Sequence, residues 1–99
     1  MEINKTSTEK GITLTLSGKL SAATAEEFGG AVDAAAAETD ALILDFAGIT
    51  YLASAGLRVL IGANKKLRAK NGSLRILHVA EAVQEVFEIT GLDDAFDIQ

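Results

Sequence analysis

Hydrophobic residues in this chain switch along its length between strand-like and helix-like spacing, and this switching limits the fold more than any other feature. Ile12, Leu14 and Leu16 alternate with polar residues, which is the period-two pattern of a strand with one buried face. Residues 41–46 form a short and almost wholly apolar run, as expected of a central strand covered on its faces. Stretches with apolar residues three and four positions apart follow these strands, so we predict an α/β fold.

The predicted order of elements is β-β-α-β-α-β-α. Strands are expected over residues 2–8, 11–17, 41–46 and 73–79, and helices over residues 24–38, 54–70 and 81–90. Gly18 is interpreted as the end of the second strand, and residues 96–98 can add a final edge strand. Because strand–helix–strand units use right-handed crossovers between parallel neighbours, we expect a mixed β-sheet packed with α-helices.

Capping residues mark the ends of the predicted helices. Thr24 and Glu27 have capping-box spacing at the start of the first helix. Asn71 and Gly72 stop the second helix, and Gly91 caps the third. The residues expected on the buried faces are Phe28, Val32, Ala35 and Ala36 in the first helix, Leu57, Leu60, Ile61, Asn64 and Leu67 in the second, and Val83, Val86, Phe87 and Thr90 in the third.

Length and composition indicate the general class of the protein. Ninety-nine residues with 48% hydrophobic content suit one domain, residues 1–99, with its own core. The absence of cysteine excludes disulfides, iron–sulfur clusters, thiolate zinc sites and cysteine nucleophiles. The first residues do not read as a secretion signal, and no apolar run is long enough to span a membrane. We therefore expect a cytoplasmic protein without membrane insertion.

Charge is distributed unevenly around the net value of −5. Residues 58–75 hold six basic residues and no acid, whereas residues 81–97 hold six acidic residues and no base. The basic block either meets an acidic partner or forms a solvated helix face. Because the chain is acidic overall and the basic block contains no aromatic residue, nucleic acid is not an expected partner.

The sequence contains no pattern typical of catalysis, nucleotide binding or metal binding. Neither the dinucleotide-binding nor the P-loop glycine motif is present. Alternation places His78 on the same side of a strand as Leu74 and Ile76, which predicts a structural role. Asp93 and Asp94 lack the spacing of a calcium-binding loop. We expect a protein that is not an enzyme and uses no metal or cofactor.

The segment between the central strand and the second helix combines several small residues with one hydroxyl. Ser54 stands at the predicted helix start beside Ala53, Ala55 and Gly56. One interpretation is an N-cap, in which the serine oxygen accepts a backbone N–H and contributes about 1 kcal/mol. The other is recognition, because small residues let a second backbone approach and a helix N-terminus accepts anionic groups such as phosphate.

Five segments in a fixed order connect this junction to a known family. They are Gly18-Lys19-Leu20, residues 42–46 (LILDF), residues 54–60 (SAGLRVL), Gly72 before a strand, and residues 86–92 (VFEITGL). With them the chain resembles, over essentially its whole length, the STAS domain (sulfate transporter and anti-sigma factor antagonist). The small bacterial anti-sigma factor antagonists are the most similar members. The resemblance implies a STAS-like fold in one domain.

The resemblance further implies a protein that is a substrate and switch rather than a catalyst. Ser54 matches the serine that a partner anti-sigma factor, an ATP-dependent serine kinase, phosphorylates in such antagonists. The unmodified antagonist captures the kinase and frees a sigma factor, the phosphorylated form lets go, and a serine phosphatase resets the cycle. The implied partner-binding residues are Ser21, Ala53, Ser54, Ala55, Gly56, Leu57 and Arg58.

The chain departs from the family pattern at two positions near the implied partner surface. Ala53 stands where aspartate or serine often precedes the modified residue, and Ser21 stands where an aspartate commonly follows the second strand. Partner choice and phosphorylation rate therefore stay open at this point. Asp45 matches a polar position of the family's central strand, and we expect it to bond to local backbone.

Two other functions remain open from the sequence. STAS domains also serve as subunits that do not switch, in signalling complexes and in lipid transport systems, and Ser54 would then only cap a helix. Some STAS domains bind nucleotides or lipids, in which case a bound ligand would raise the melting temperature.

Overall fold

The computed structural model describes residues 1–99 and contains five strands and three helices. The strands are β1 (Glu2–Thr8), β2 (Gly11–Leu20), β3 (Ala41–Leu52), β4 (Ser73–Leu77) and β5 (Asp97–Ile98). The helices are α1 (Ala25–Glu38), α2 (Ser54–Ala69) and α3 (Glu81–Thr90). The predicted order of elements is confirmed, including the short final strand.

The strands form one mixed sheet, as predicted, and their order is β1-β2-β3-β4-β5, with β3 in the middle. β1 and β2 are antiparallel, and the remaining neighbours are parallel. Because the order never reverses direction, right-handed crossovers bring all three helices to the same face of the sheet. The two-sided cover predicted for β3 is therefore wrong: Leu42 and Leu44 are buried, while Ile43 and Asp45, which point to the other face, are partly exposed.

One cluster of 22 buried side chains joins the covered face of the sheet to the helices. All four residues expected on the inner face of α1 are buried, and so are Leu57, Leu60 and Leu67 of α2. Asn64 is half-buried, and its Nδ2 donates a hydrogen bond to the Ala95 carbonyl at 3.2 Å. Thr90 is exposed rather than buried, because its hydroxyl bonds the Val86 carbonyl of its own helix at 2.8 Å.

β2 and β3 extend past their predicted ends. Gly18, interpreted as the end of β2, lies inside the strand at φ +117°, next to a shift in the pairing register with β3. Gly48 pairs with Ser17 there, and a Cβ at Gly48 would lie 2.5 Å from the Ser17 Cβ. The glycines therefore allow an irregular, close pairing that carries both strands to Leu20 and Leu52.

The helix boundaries are confirmed, although their hydrogen bonds differ from those predicted. Thr24 occupies the N-cap position of α1 but makes no capping bond to the helix. Its hydroxyl instead donates to the Lys19 carbonyl at 2.6 Å and accepts the Ser21 N–H at 3.0 Å. Thr24 thus fixes the chain that leaves β2. Gly91 ends α3 in the left-handed conformation, as expected.

Two glycine substitutions are expected to have opposite effects on stability. Gly11 has φ +137°, and a Cβ there would collide with the Ala41 carbonyl oxygen, so Gly11→Ala should lower the free energy of unfolding by more than about 1 kcal/mol. Gly30 lies inside α1 with open space around it, so Gly30→Ala should raise it by about 0.5–1 kcal/mol. Urea unfolding of both variants measures these changes. A free energy of unfolding in Gly11→Ala equal to that of the wild type would contradict the prediction.

Candidate functional site

The ends of β2 and β3 lie side by side and fix the geometry of the junction before α2. Lys19 pairs with Tyr51 and Leu20 with Leu52 at the carboxyl ends of the two parallel strands. The Ala53 N–H then donates to the Leu20 carbonyl at 2.8 Å. The segments that follow both strands, including Ser21 and Ser54, therefore leave the sheet at the same edge.

Ser54 is the first residue of α2 and is exposed to solvent. Ala53 occupies the N-cap position in an extended conformation, and its methyl group has no atom that can accept a backbone N–H. The interpretation of Ser54 as an N-cap is therefore wrong, because the serine lies one position inside the helix. Its hydroxyl is presented outward and is not used to hold the helix start.

The small residues around Ser54 do not share one role. Gly56 is buried, and a Cβ there would lie 2.8 Å from Leu52 Cδ1 and 3.1 Å from Leu20 Cβ. Gly56 therefore lets α2 start directly against the end of β2, so the backbone that approaches it belongs to the same chain. Leu57 is also buried, with 7% of its surface exposed. Both residues support the site from beneath.

The remaining residues that the resemblance implied lie at or near the surface of this corner. Ser54 and Arg58 are exposed, while Ser21, Ala53 and Ala55 are half-buried. The structure thus brings the two segments together but leaves only part of the implied set accessible to a partner.

Tyr51 is a candidate that the sequence interpretation missed. Its side chain is 51% exposed, and it lies beside the exposed Lys19 in the register of β2 and β3. Regular alternation would not place it on the surface next to Thr50, since consecutive strand residues point to opposite faces. The irregular pairing near Gly48 exposes both residues, and no sequence pattern indicates that irregularity.

Asp45 and His78 form a second polar cluster. Asp45 Oδ1 accepts the Ala47 N–H at 3.0 Å, which confirms the expected bond to local backbone, and it lies 3.0 Å from His78 Nδ1. The strand face predicted for His78 is wrong, because β4 ends at Leu77 and His78 follows this strand end, exposed, at φ +58°. Partial burial raises the pKa of Asp45, but the Ala47 N–H and the His78 imidazole lower it more, so the net pKa lies below its ordinary value.

This lowered pKa predicts a contribution to acid stability. A carboxylate whose pKa is lower in the folded state stabilises the fold above its unfolded pKa of about 3.9, and the contribution is lost as the pH falls through the folded pKa. Asp45→Asn should therefore lose less stability than the wild type between about pH 5 and 2. Urea unfolding across this range measures the difference, with the exposed Asp94→Asn as control. Parallel curves for wild type and Asp45→Asn would contradict the prediction.

The basic block of α2 is partly neutralised by neighbouring elements. Lys66 Nζ lies 2.8 Å from Asp33 Oδ1 of α1, and Lys70 Nζ lies 3.6 Å from Asp40 Oδ1. Arg58 at the start of the block takes part in no ion pair. The basic residues at the end of α2 therefore form a solvated helix face with neighbouring acids. Arg58, one turn after Ser54, keeps an unpaired guanidinium.

No cleft opens at Ser54, and of the candidate residues only Arg58 borders one, the shallow groove between α1 and α2. The largest surface cleft, of about 510 Å3, lies at the opposite edge of the sheet, beside the β1–β2 turn and the start of β3. The two other clefts also lack Ser54 and its neighbours 51–57 in their walls. The surface around Ser54 is therefore not part of a concave pocket of the kind that encloses a small ligand. None of the helices is both long and apolar enough to pass through a bilayer.

Comparison with known proteins places this geometry in context. The family model described as "Mlab, STAS domain" matches residues 3–98. An anti-sigma-B factor antagonist of Listeria monocytogenes is 36% identical over 58 residues, which are 59% of this chain and 51% of the relative. The chain therefore spans about half the length of the curated relatives it matches.

Solved structures share the fold. A crystal structure of an anti-sigma factor antagonist from Mycobacterium paratuberculosis superposes with a TM-score of 0.88 at 24% identity, covering 98% of this chain and 83% of the other. The Bacillus cell fate determinant SpoIIAA in its phosphorylated form superposes with a TM-score of 0.75 at 19% identity, covering 99% and 91%.

Proposed function

Since this chain belongs to the STAS domain family, we propose that residues 1–99 act as one STAS domain with the function of a cytoplasmic anti-sigma factor antagonist. The unmodified protein binds an anti-sigma factor that is also an ATP-dependent serine kinase, and this binding frees a sigma factor. Phosphorylation of Ser54 ends the binding, and a serine phosphatase restores it. The names of the relatives support the antagonist function.

The observation that carries the modification step is the exposed hydroxyl of Ser54, which α2 does not use as a cap. Its oxygen attacks the γ-phosphorus of ATP held by the kinase, the bond to the β-phosphate oxygen breaks, and ADP leaves. The hydroxyl proton passes to a base on the kinase. In the reverse half of the cycle, water attacks the phosphoserine phosphorus, and the phosphatase releases inorganic phosphate and the free hydroxyl.

Release of the partner follows from the charge that the phosphate adds. A phosphoserine carries about −1.5 to −2 charges at pH 7, and a helix N-terminus tolerates this charge within the domain. At an interface the same charge loses its water and meets any acidic group of the partner, which is costly. Phosphorylation is thus expected to act on binding and not on the fold.

Intact-mass spectrometry after incubation with ATP and the anti-sigma factor kinase of the same genome tests this function. We expect a mass gain of one phosphate in the wild type and none in Ser54→Ala. Binding of the kinase to the wild type is expected to fall as the modified fraction rises. Absence of modification, together with binding that Ser54→Ala retains, would contradict a switch and favour a constitutive subunit.

That constitutive subunit is the second candidate function, and two observations favour it. The matching family model carries the description "Mlab" beside "STAS domain", and Ala53 replaces the polar residue that often precedes the modified serine. In this case the same corner would hold a partner in a signalling or lipid transport complex permanently. Ser54→Ala and Ser54→Asp would then bind that partner about equally.

Tyr51 supplies a prediction for the binding surface itself. Exposed tyrosines at the centre of interfaces often carry a large share of the binding energy, so Tyr51→Ala should weaken capture of the anti-sigma factor by about tenfold. Isothermal titration calorimetry measures the change. Ile89→Ala removes the other exposed large hydrophobic residue, on α3, and should leave the affinity unchanged. Equal effects of both substitutions would show that Tyr51 is not part of the binding surface.

A further inference from the structure

Arg58 lies one helical turn after Ser54 on the outer face of α2. Both side chains are exposed, and residues four apart on a helix bring their Cβ atoms within about 6 Å of each other. Long side chains on a helix generally lean back toward its N-terminus, a direction from which the Arg58 guanidinium can reach a group at position 54. The spacing therefore places a cation within reach of any group attached to the Ser54 oxygen.

No acidic side chain of the protein pairs with the Arg58 guanidinium. The basic residues that do form an ion pair are Lys5, Lys66, Lys70, Arg75 and His78. Asp33, which borders the same shallow groove as Arg58, is bound to Lys66 at 2.8 Å. The first turn of α2 holds no acidic residue that would compete within the helix. Arg58 is thus free in the unmodified protein.

We propose that Arg58 binds the phosphate carried by Ser54 in the modified protein, an inference that rests on the proposed function. A phosphoserine presents three acceptor oxygens, and the planar guanidinium donates two parallel N–H bonds to such a group. The pair forms within one helix, so it requires no movement of the backbone. It also needs no atom of the kinase or the phosphatase.

This pair would change the surface in two ways at once. The phosphate adds negative charge at position 54, and the ion pair withdraws the free cation that the unmodified surface offers to an acidic partner. The phosphate would lie along the outer face of α2. Arg58 then acts as a positioning residue for the modified state, and its contribution belongs to the phosphorylated protein alone.

The ionisation of the phosphate gives a direct test. Phosphoserine is introduced at position 54 by genetic code expansion, so the test does not depend on whether any kinase modifies the protein. A 31P NMR titration then measures the second phosphate pKa in the otherwise wild-type chain and in Arg58→Gln. We expect this pKa to be lower by about half a unit when Arg58 is present, as for an exposed ion pair.

Lys65→Gln is the matched control, because Lys65 is exposed on the same helix, forms no ion pair and carries the same charge. Its phosphate should titrate like that of the wild type. Equal phosphate pKa values in wild type and Arg58→Gln would overturn the inference, and so would an equal change in Lys65→Gln, which would indicate a general charge effect. Failure of the kinase to modify Ser54 would overturn the proposed function and leave this titration unaffected.

Discussion

Ser54→Asp is expected to weaken capture of the anti-sigma factor by at least about a hundredfold, whereas Ser54→Ala should bind with nearly unchanged affinity. Removing an added carboxylate from water at an interface costs several kcal/mol, and about 2.7 kcal/mol corresponds to this factor. Alanine removes only a hydroxyl that caps no helix, so it leaves the surface and the fold intact. Surface plasmon resonance with immobilised kinase measures both affinities.

Ser7→Asp provides the control for added charge. Ser7 is exposed on β1 near the β1–β2 turn, at the opposite edge of the sheet from Ser54, and the same substitution there should leave the affinity unchanged. Backbone NMR shifts of Ser54→Asp should change only around the start of α2. Equal binding of Ser54→Asp and wild type, or widespread shift changes, would contradict a local electrostatic switch.

Phe87→Ala is expected to lower the free energy of unfolding by about 3–5 kcal/mol, the largest stability effect that we predict. Phe87 is fully buried, and its ring meets that of Phe96 edge-to-face with centroids 5.8 Å apart. Its carbonyl also accepts the N–H groups of Leu92 and Asp93, which begin the connection to β5. The side chain therefore holds α3 and the end of the chain on the core.

Urea denaturation followed by circular dichroism measures this loss. Ile89→Ala on the same helix is the control: Ile89 is 85% exposed, so its truncation should change stability by less than about 0.5 kcal/mol. A loss below about 1 kcal/mol in Phe87→Ala would mean that α3 contributes little to the core.

The order of elements and most of the core could be predicted from the sequence because both follow from local spacing. Alternation in β2 and the three-to-four spacing in α1 decide which side chains are buried, whatever the neighbours are. The capping glycine at Gly91 is similarly a local backbone requirement. These features need no knowledge of which strand lies next to which.

The errors arose where two distant segments meet. Glycine commonly ends a strand, which is the basis of the prediction for Gly18, but Gly18 and Gly48 permit the close pairing that lengthens β2 and β3. The exposure of Tyr51 depends on that pairing. His78 lies off the expected strand face because β4 ends at Leu77 instead of residue 79, and Asp45 on β3 lies in contact with its ring.

The start of α2 is predicted correctly, whereas the roles predicted for the residues around it differ from those in the structure. Ser54 is at the start of α2, yet Ala53 takes the N-cap position. Gly56 was expected to admit a partner's backbone, and it admits that of Leu20 instead. Whether a serine at a helix start takes the N-cap or the first helical position cannot be read from propensity, since the two differ by only one residue.

The hydrogen bond from Ala53 to Leu20 has a consequence for how fast and how tightly a partner can be held. It ties the connection between β3 and α2 to the end of β2, so a partner that binds this corner would spend little free energy on ordering the backbone there. Under the proposed function, a phosphate on Ser54 would then act by changing the charge of a surface whose backbone the sheet already holds in place.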